Sequence, residues 1–503
     1  MSSRSPRLVA AMCALTLLLV AGCTPNNLAD WMARQLVEGG QAAAINPPAE
    51  PVLVSGPSPY AGCTLPGAGV RYPNADVETW LAVNPAALKQ GKVEYIGVWM
   101  TDRWSNGGGS GLVAASSFDA GRTWTQTPLA FGGCSENGLR SWPRVSDPWV
   151  TFGPDGKAYM SGLIADVTRG YFAMAAATSS DGGRTWGDHQ VVAEATRGGQ
   201  VMLDKESVTA DPTRPGTAYM VWNRNNYGET PYFSSVQFSM TTDGGKTWSQ
   251  PENIFRPDQG QVPVGNVIVV DPRDGTLYNL FHWSSPKAPD SEERVAQIGF
   301  MRSTDGGRNW SAARRIIDVT NGKVMTPDGR VEVRTGGPLP LTAIDPRTGR
   351  IYVVWGDQRF EGGQPAIAIA YSDDRGDTWS DPVRVNPPSS RGAFRGTVAV
   401  NSRGQVGVSY YDFRETETPG EGVPTHLWLA IYTPSEQGLG EPKETHITGP
   451  FDLSAAPLAN GYFLGDYLGL VAVGDGFTLF YVATVSKANP TDVYAVTVRP
   501  LQN

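Results

Sequence analysis

Polar residues in this chain gather into compact sets of mixed charge. Thr101-Asp102-Arg103-Trp104, Leu203-Asp204-Lys205-Glu206, Trp355-Gly356-Asp357-Gln358-Arg359, Tyr410-Tyr411-Asp412-Phe413-Arg414 and Gly465-Asp466-Tyr467 each put a carboxylate close to a cation or a phenol. Residues two apart on a strand point to the same side, so Asp357/Arg359 and Asp412/Arg414 can pair. Two chemistries fit: ion pairs that stitch neighbouring elements, or a mixed-charge pocket for a polar ligand, acidic or sugar-like. Other schemes find little support. The four histidines, His189, His282, His426 and His446, lack metal-ligand spacing, no Cys-x-x-Cys exists, and no glycine-rich loop follows a strand to open a helix. Neither a metal nor an organic cofactor is expected.

The elements that must position these sets recur along the chain. The 503 residues carry a formal charge of −8, with 40% hydrophobic and 18% charged residues, enough for a large folded core. With 41 Lys+Arg against 49 Asp+Glu and no dense basic run, a nucleic-acid surface is disfavoured. Short β-branched or aromatic runs, such as Glu78 to Val83, Asp147 to Val150, Glu206 to Thr209, Asn266 to Val269, Leu341 to Ile344 and Thr397 to Val400, read as strands. A second strand follows most of them, as at Tyr95 to Trp99, Tyr219 to Trp222, Tyr278 to Phe281, Tyr352 to Trp355 and Val408 to Tyr411.

Five segments then share one pattern, centred on Asp119, Asp181, Asp243, Asp305 and Asp374, which lie 62, 62, 62 and 69 residues apart. Ser179-Ser180-Asp181-Gly182-Gly183-Arg184-Thr185-Trp186 is representative. Asp and Ser/Thr oxygens can bond turn backbone, Gly can take positive φ, and Trp can wedge between sheets. The pattern resembles the Asp-box of sialidase-type propellers, which implies that these aspartates fasten blades, between third and fourth strands, and sit away from any active site. Four strands per period predict an all-β propeller of four-stranded blades. A degenerate sixth unit around Leu427 to Ser435 and a strand set from Leu468 to Val498 bring the count to seven, with six blades plus an extra sheet as the alternative. Residues 51–56, Pro-Val-Leu-Val-Ser-Gly, lack a partner and are expected to complete the last blade.

On that architecture the polar sets fall on the rim opposite the Asp-boxes. The sialidase resemblance implies a sialoside-cleaving site: three arginines clamp the substrate carboxylate, an Asp serves as acid/base, and a Tyr activated by Glu is the nucleophile. Arg103, Arg359 and Arg414 are the candidates for the clamp, Asp102 for the acidic partner, and Tyr467 with Glu206 for the nucleophile pair. The chain departs from the family where Arg71-Tyr72-Pro73 echoes its R-I-P signature ahead of the first strand, and where no aspartate follows Arg103 until Asp119. A sialidase-like hydrolase of sialosides or related acidic glycans is one expectation. A non-catalytic glycan- or protein-binding propeller is a second, and another enzyme, such as a polysaccharide lyase or a hydrolase of different specificity, is a third.

Residues 1–23 read as a targeting segment, with Arg4 and Arg7, an apolar run from Leu8 to Val20, and Leu19-Val20-Ala21-Gly22-Cys23. The ending resembles the bacterial lipobox, which implies acylation of Cys23 and anchoring to the outer face of the cell membrane. Residues 24–50 read as a tether with a short helix around Leu28 to Val37, and 51–503 as one propeller domain, expected to be a monomer. Cys63 and Cys134 remain for an oxidising compartment and are expected to form a disulfide, free buried thiols being the alternative.

Overall fold

The computed structural model describes residues 50–228, 232–288, 291–414 and 422–499. The targeting segment, Cys23 and all of the tether but its last residue lie outside them. The described residues form seven four-stranded antiparallel sheets and one two-stranded hairpin. The innermost strands are Val77–Val83, Arg144–Phe152, Val201–Ala210, Val262–Val270, Leu341–Ile344, Phe394–Val400 and Gly469–Val473. Each sheet buries both faces against its neighbours, which is why second strands such as Tyr95–Thr101 and Ala158–Asp166 are buried throughout. The fold is a seven-bladed β-propeller, with the core distributed between blades.

The five aspartate-centred turns join third and fourth strands, as the spacing predicts. At the second, Asp181 Oδ1 accepts from Ser179 Oγ at 2.8 Å and from the Thr185 amide at 3.0 Å, while Oδ2 accepts from Thr185 Oγ1 at 2.6 Å. The turn tryptophans reach the preceding blade: Trp124 packs on Phe480 at 5.4 Å, Trp310 on Phe238 at 5.6 Å and Trp379 on Phe300 at 6.0 Å. The ring closes through the N-terminus. Val52 and Leu53 pair with Ala495 and Tyr494 as the outermost strand of blade 7. Cys63 and Cys134 form a disulfide across 71 residues of sequence, tying the entry segment to blade 1.

Several innermost strands begin earlier than the sequence pattern predicts. Blade 2 starts at Arg144 rather than Asp147, blade 3 at Val201 rather than Glu206, blade 4 at Val262 rather than Asn266, and blade 6 at Phe394 rather than Thr397. A bulge breaks the period-two alternation at each of these points, so the pattern is readable only beyond it.

Candidate functional site

The bulge recurs at one register in five blades. The ladder to the second strand shifts between Val77 and Trp80, Ser146 and Trp149, Asp204 and Ser207, Val264 and Val267, and Phe394 and Thr397. At its centre stands a residue in the left-handed region: Glu78 at φ 58°, Asp147 at 52°, Lys205 at 54°, Gly265 at 68° and Arg395 at 57°. Only glycine adopts this conformation at no cost; each other residue gives up about 1–3 kcal/mol. Four blades bear that cost with a charged side chain, and blade 7 adds Asp466 beside Gly465. Bulges re-aim side chains, and here they bring charge to the mouth of the central channel.

Lys205 is the hub. Its Nζ donates to Asp147 Oδ1 at 2.7 Å and to Asp466 Oδ2, and lies 3.8 Å from Glu78 Oε1. Burial opposes the ammonium charge, yet Asp147, Asp466 and Glu78 outweigh it and hold the Lys205 pKa well above its ordinary value. Burial, with Asp147 beside it, pushes Glu78 up to about 7 against the pull of Lys205. Asp466 goes the other way: burial disfavours its charge, but Lys205 and Arg334 hold it far below the carboxylate range. Burial raises half-buried Asp204 to about 7, with Lys205 opposing and Asp147 and Asp466 reinforcing. Asp466 is buried and Asp204 half-buried, and carboxylates at one site whose pKa values are pushed apart are the mark of an acid/base arrangement. Oxygens of Glu78, Asp147 and Asp466 lie within 4.8 Å of one another, a spacing that suits a metal ion. The Lys205 ammonium already supplies the balancing cation among them.

Three guanidinium groups surround this cluster. Arg103 and Arg334 lie over the Phe463 ring, at 4.6 and 4.5 Å from its centroid, and Arg334 is 3.7 Å from Asp466. Arg395 is buried, its Nε and Nη2 make no hydrogen bond, and desolvation lowers its pKa to about 10. The insertion between blades 4 and 5 brings Arg334 in. Its hairpin, Val324–Met325 with Glu332–Val333, pairs through Val333 with Tyr462 of the loop before blade 7, and so spans the channel mouth. Beneath it opens a cleft of about 540 Å³ lined by Thr335, Asp357, Arg395 and Asp466, among others. A second cavity, about 340 Å³, is lined by Lys205, Glu206, Asn266, Asp466 and Tyr467. Asp466 borders both.

The structure gathers some of the sequence-predicted residues and separates others. Arg103, Glu206 and Tyr467 converge on the mouth or channel. Arg359 instead pairs with Asp357 at 2.9 Å and donates to the Asp318 carbonyl, and Arg414 pairs with Asp412 at 2.7 Å and Glu444 at 2.9 Å. Both arginines therefore turn toward their own or the preceding blade's outer strand, and they do not join Arg103 in a clamp. Asp102 is fully buried and accepts from Arg71 at 2.6 Å, from Ser58 Oγ at 2.9 Å and from the Asn74 amide at 2.8 Å, a structural anchor. Tyr467 donates to the Pro148 carbonyl at 3.1 Å and packs edge-on to Trp80 and Trp149. Burial, with Glu78, Asp147 and Glu206 nearby, holds its phenol well above 10, in the protonated form. Both Glu206 oxygens lack a hydrogen-bond partner, and burial keeps that carboxyl raised too. Sequence reasoning missed Arg334 and Arg395; glycine at the matching position of blade 4 was the available hint for the latter.

The chain matches no protein-family model. It is 26% identical to a sialidase of Micromonospora viridifaciens over 198 residues, 36% of this chain and 30% of that protein. Identity to a Bacteroides fragilis sialidase is also 26%, over 221 residues, 40% of this chain and 36% of that protein. The matched region thus spans about a third of these relatives, 30% and 36% of their lengths. Among solved structures, an α-L-arabinofuranosidase of Fusarium graminearum in complex with arabinobiose superposes with a TM-score of 0.49 at 13% identity, covering 90% of this chain and 97% of that one. The Hadza microbial sialidase Hz136 gives 0.45 at 15% identity, covering 81% and 73%.

Proposed function

We propose that this sialidase-like seven-bladed propeller is a glycoside hydrolase that takes an acidic glycan terminus at the channel mouth. The observation that carries the reading is the convergence of Arg103, Arg334 and Arg395 around Asp466 at the mouth, with Asp204, raised to about 7, in a contrasting environment nearby. Arg334 and Arg395 are placed to receive an anionic group on the sugar, where charge-assisted bonds are strongest. Asp204, half-buried at the mouth, donates a proton to the leaving oxygen. Asp466, ionised and fixed by Lys205, stabilises the positive charge that develops at the anomeric carbon as that bond breaks; water then bonds to the carbon and gives its proton to the Asp204 carboxylate. Tyr467, held as a neutral phenol on the Pro148 carbonyl, supports the stack beside it.

The test is turnover of a fluorogenic sialoside, then of uronoside and neutral aryl glycosides, by the signal-free protein. Sialoside or uronoside turnover that falls about a hundredfold in Arg395→Ala, and much less in Arg359→Ala, supports the assignment. Equal losses in the two variants refute the arginine assignment. Absence of turnover on every glycoside by folded protein would leave a non-catalytic glycan-binding propeller.

The reading extends to location: export and anchoring through an acylated Cys23, supported by the Leu19-Val20-Ala21-Gly22-Cys23 sequence behind a basic, apolar leader. Incorporation of labelled fatty acid in cells should vanish in Cys23→Ser; persistence would reject the anchor.

A further inference from the structure

Blade 3 rises above the charged mouth. Its innermost strand continues from the bulge at Lys205 back to Val201, and its second strand runs to Asn226, with Asp204 opposite Asn223 and Met202 opposite Asn225. Four residues of extended chain add a wall about 13 Å high. At its top Tyr227 is 53% exposed, among the few large apolar or aromatic side chains that the described residues leave open to solvent. Tyr232 stacks behind it, ring centroids 5.2 Å apart and planes 11° from parallel. The backing is fixed: the Tyr232 hydroxyl donates to Asn225 Oδ1 at 3.3 Å, and its carbonyl accepts from the Gly260 amide. The Tyr227 hydroxyl sits 4.0 Å from Met202 Sδ. One face of Tyr227 is therefore spent on Tyr232, while the side chain stays half-exposed at the top of the wall.

Along the innermost strand Asp204 lies between the Lys205 bulge and Met202, on the same side as Met202, whose Sδ is 4.0 Å from the Tyr227 hydroxyl. A flat aromatic face next to a hydrogen-bond acceptor matches a pyranose, whose axial C–H groups pack on a ring while its hydroxyls donate sideways. We propose that Tyr227, backed by Tyr232, is the binding platform for the leaving-group sugars of an oligosaccharide whose acidic terminus enters the cleft lined by Arg395 and Asp466. The inference rests on the hydrolase reading above. Asp204 gives it direction: the residue that protonates the leaving oxygen lies between cleft and platform, so the sugar beyond that oxygen is the one that reaches Tyr227.

The experiment compares kcat/KM for 3′-sialyllactose with that for methyl sialoside, in wild type, Tyr227→Ala and Tyr227→Phe. The platform predicts that the preference for the trisaccharide collapses about tenfold in Tyr227→Ala, through KM, and persists in Tyr227→Phe, which keeps the ring. An unchanged preference in Tyr227→Ala overturns the platform while the hydrolase reading stands. If neither substrate turns over, the hydrolase reading fails and binding decides: transferred saturation to lactose is expected from wild type and Tyr227→Phe and lost in Tyr227→Ala. Equal signals from wild type and Tyr227→Ala, or none from wild type, overturn the platform in that case.

Discussion

The two rims of this propeller are built from the same repeat and treat their carboxylates in opposite ways. On one rim, Asp119, Asp181, Asp243, Asp305 and Asp374 stand in near-identical turns, each accepting bonds from a neighbouring hydroxyl or amide and from backbone amides. Their charges are solvated and locally satisfied, so they lower their own pKa values; Asp243 is held down to about 2 by bonds from Thr247. On the other rim, the equivalent bulge position holds Glu78, Asp147, Lys205, Gly265 or Arg395, a different residue in each blade. Glu78, Asp147 and Lys205 meet across blades, burial raises Glu78 and lowers Arg395, and the surrounding carboxylates raise Lys205. Repetition marks the rim that fastens the ring. Divergence within a repeated backbone feature marks the rim where chemistry becomes feasible.

Breaking the hub should have the largest effect. Lys205→Met leaves Glu78, Asp147 and Asp466 without their shared cation, and loss of one partner from a buried network costs about 3–5 kcal/mol. Chemical denaturation should show that loss near neutral pH, and the pH dependence should sharpen it. Glu78 and Asp204, raised to about 7 in the folded protein, bind protons there that the unfolded chain has released above about pH 4. Their contribution is full below that value and declines as pH rises to about 7. Without Lys205 the decline steepens; a variant as stable as wild type across the range would deny the hub its role.

The next effect concerns Asp204 as proton donor. Activity should fall above about pH 7 as Asp204 ionises, and Asp204→Asn should lose about a hundredfold in kcat/KM together with that alkaline limb. An alkaline limb retained in Asp204→Asn would assign it to another group, Glu78 being the first to test by Glu78→Gln.

What could be read in the sequence follows the same division. The aspartate-centred turns, the blade strands, the closing segment at Val52 and Leu53, and the Cys63–Cys134 bridge are specified by local residue chemistry or by simple elimination, and all are present. The bulge ring is a register event. Glu78, Lys205 and Arg395 have no side-chain preference for left-handed backbone and Asp147 only a weak one, so the sequence pattern starts the mouth strands at the bulge or beyond it. Arg334 comes from an insertion outside the repeat, invisible to a search by period. Arg359 and Arg414 were legible as ion-pair partners two residues from Asp357 and Asp412, and local pairing is what the structure gives them. The missing element was long-range: which blade's cation meets which blade's carboxylate.

The smallest effect belongs to the fastening rim and tests whether its aspartates are as local as they look. In Asp243→Ala the bonds from Thr241, Thr247 and the Thr247 amide disappear, while Trp248 and the glycines that shape the turn remain. Loss of a solvent-exposed capping carboxylate costs about 1 kcal/mol, well under the cost at Lys205. The pH signature is inverted relative to the mouth. Because the folded-state pKa of Asp243 is depressed to about 2, its contribution is present above the unfolded value near 4 and fades as pH falls toward about 2. Wild type and Asp243→Ala should therefore differ in thermal midpoint at pH 6 and converge on acidification, with glycoside turnover at pH 6 the same in both. A loss of turnover without loss of stability would couple the two rims, and the division of labour drawn between them would fail.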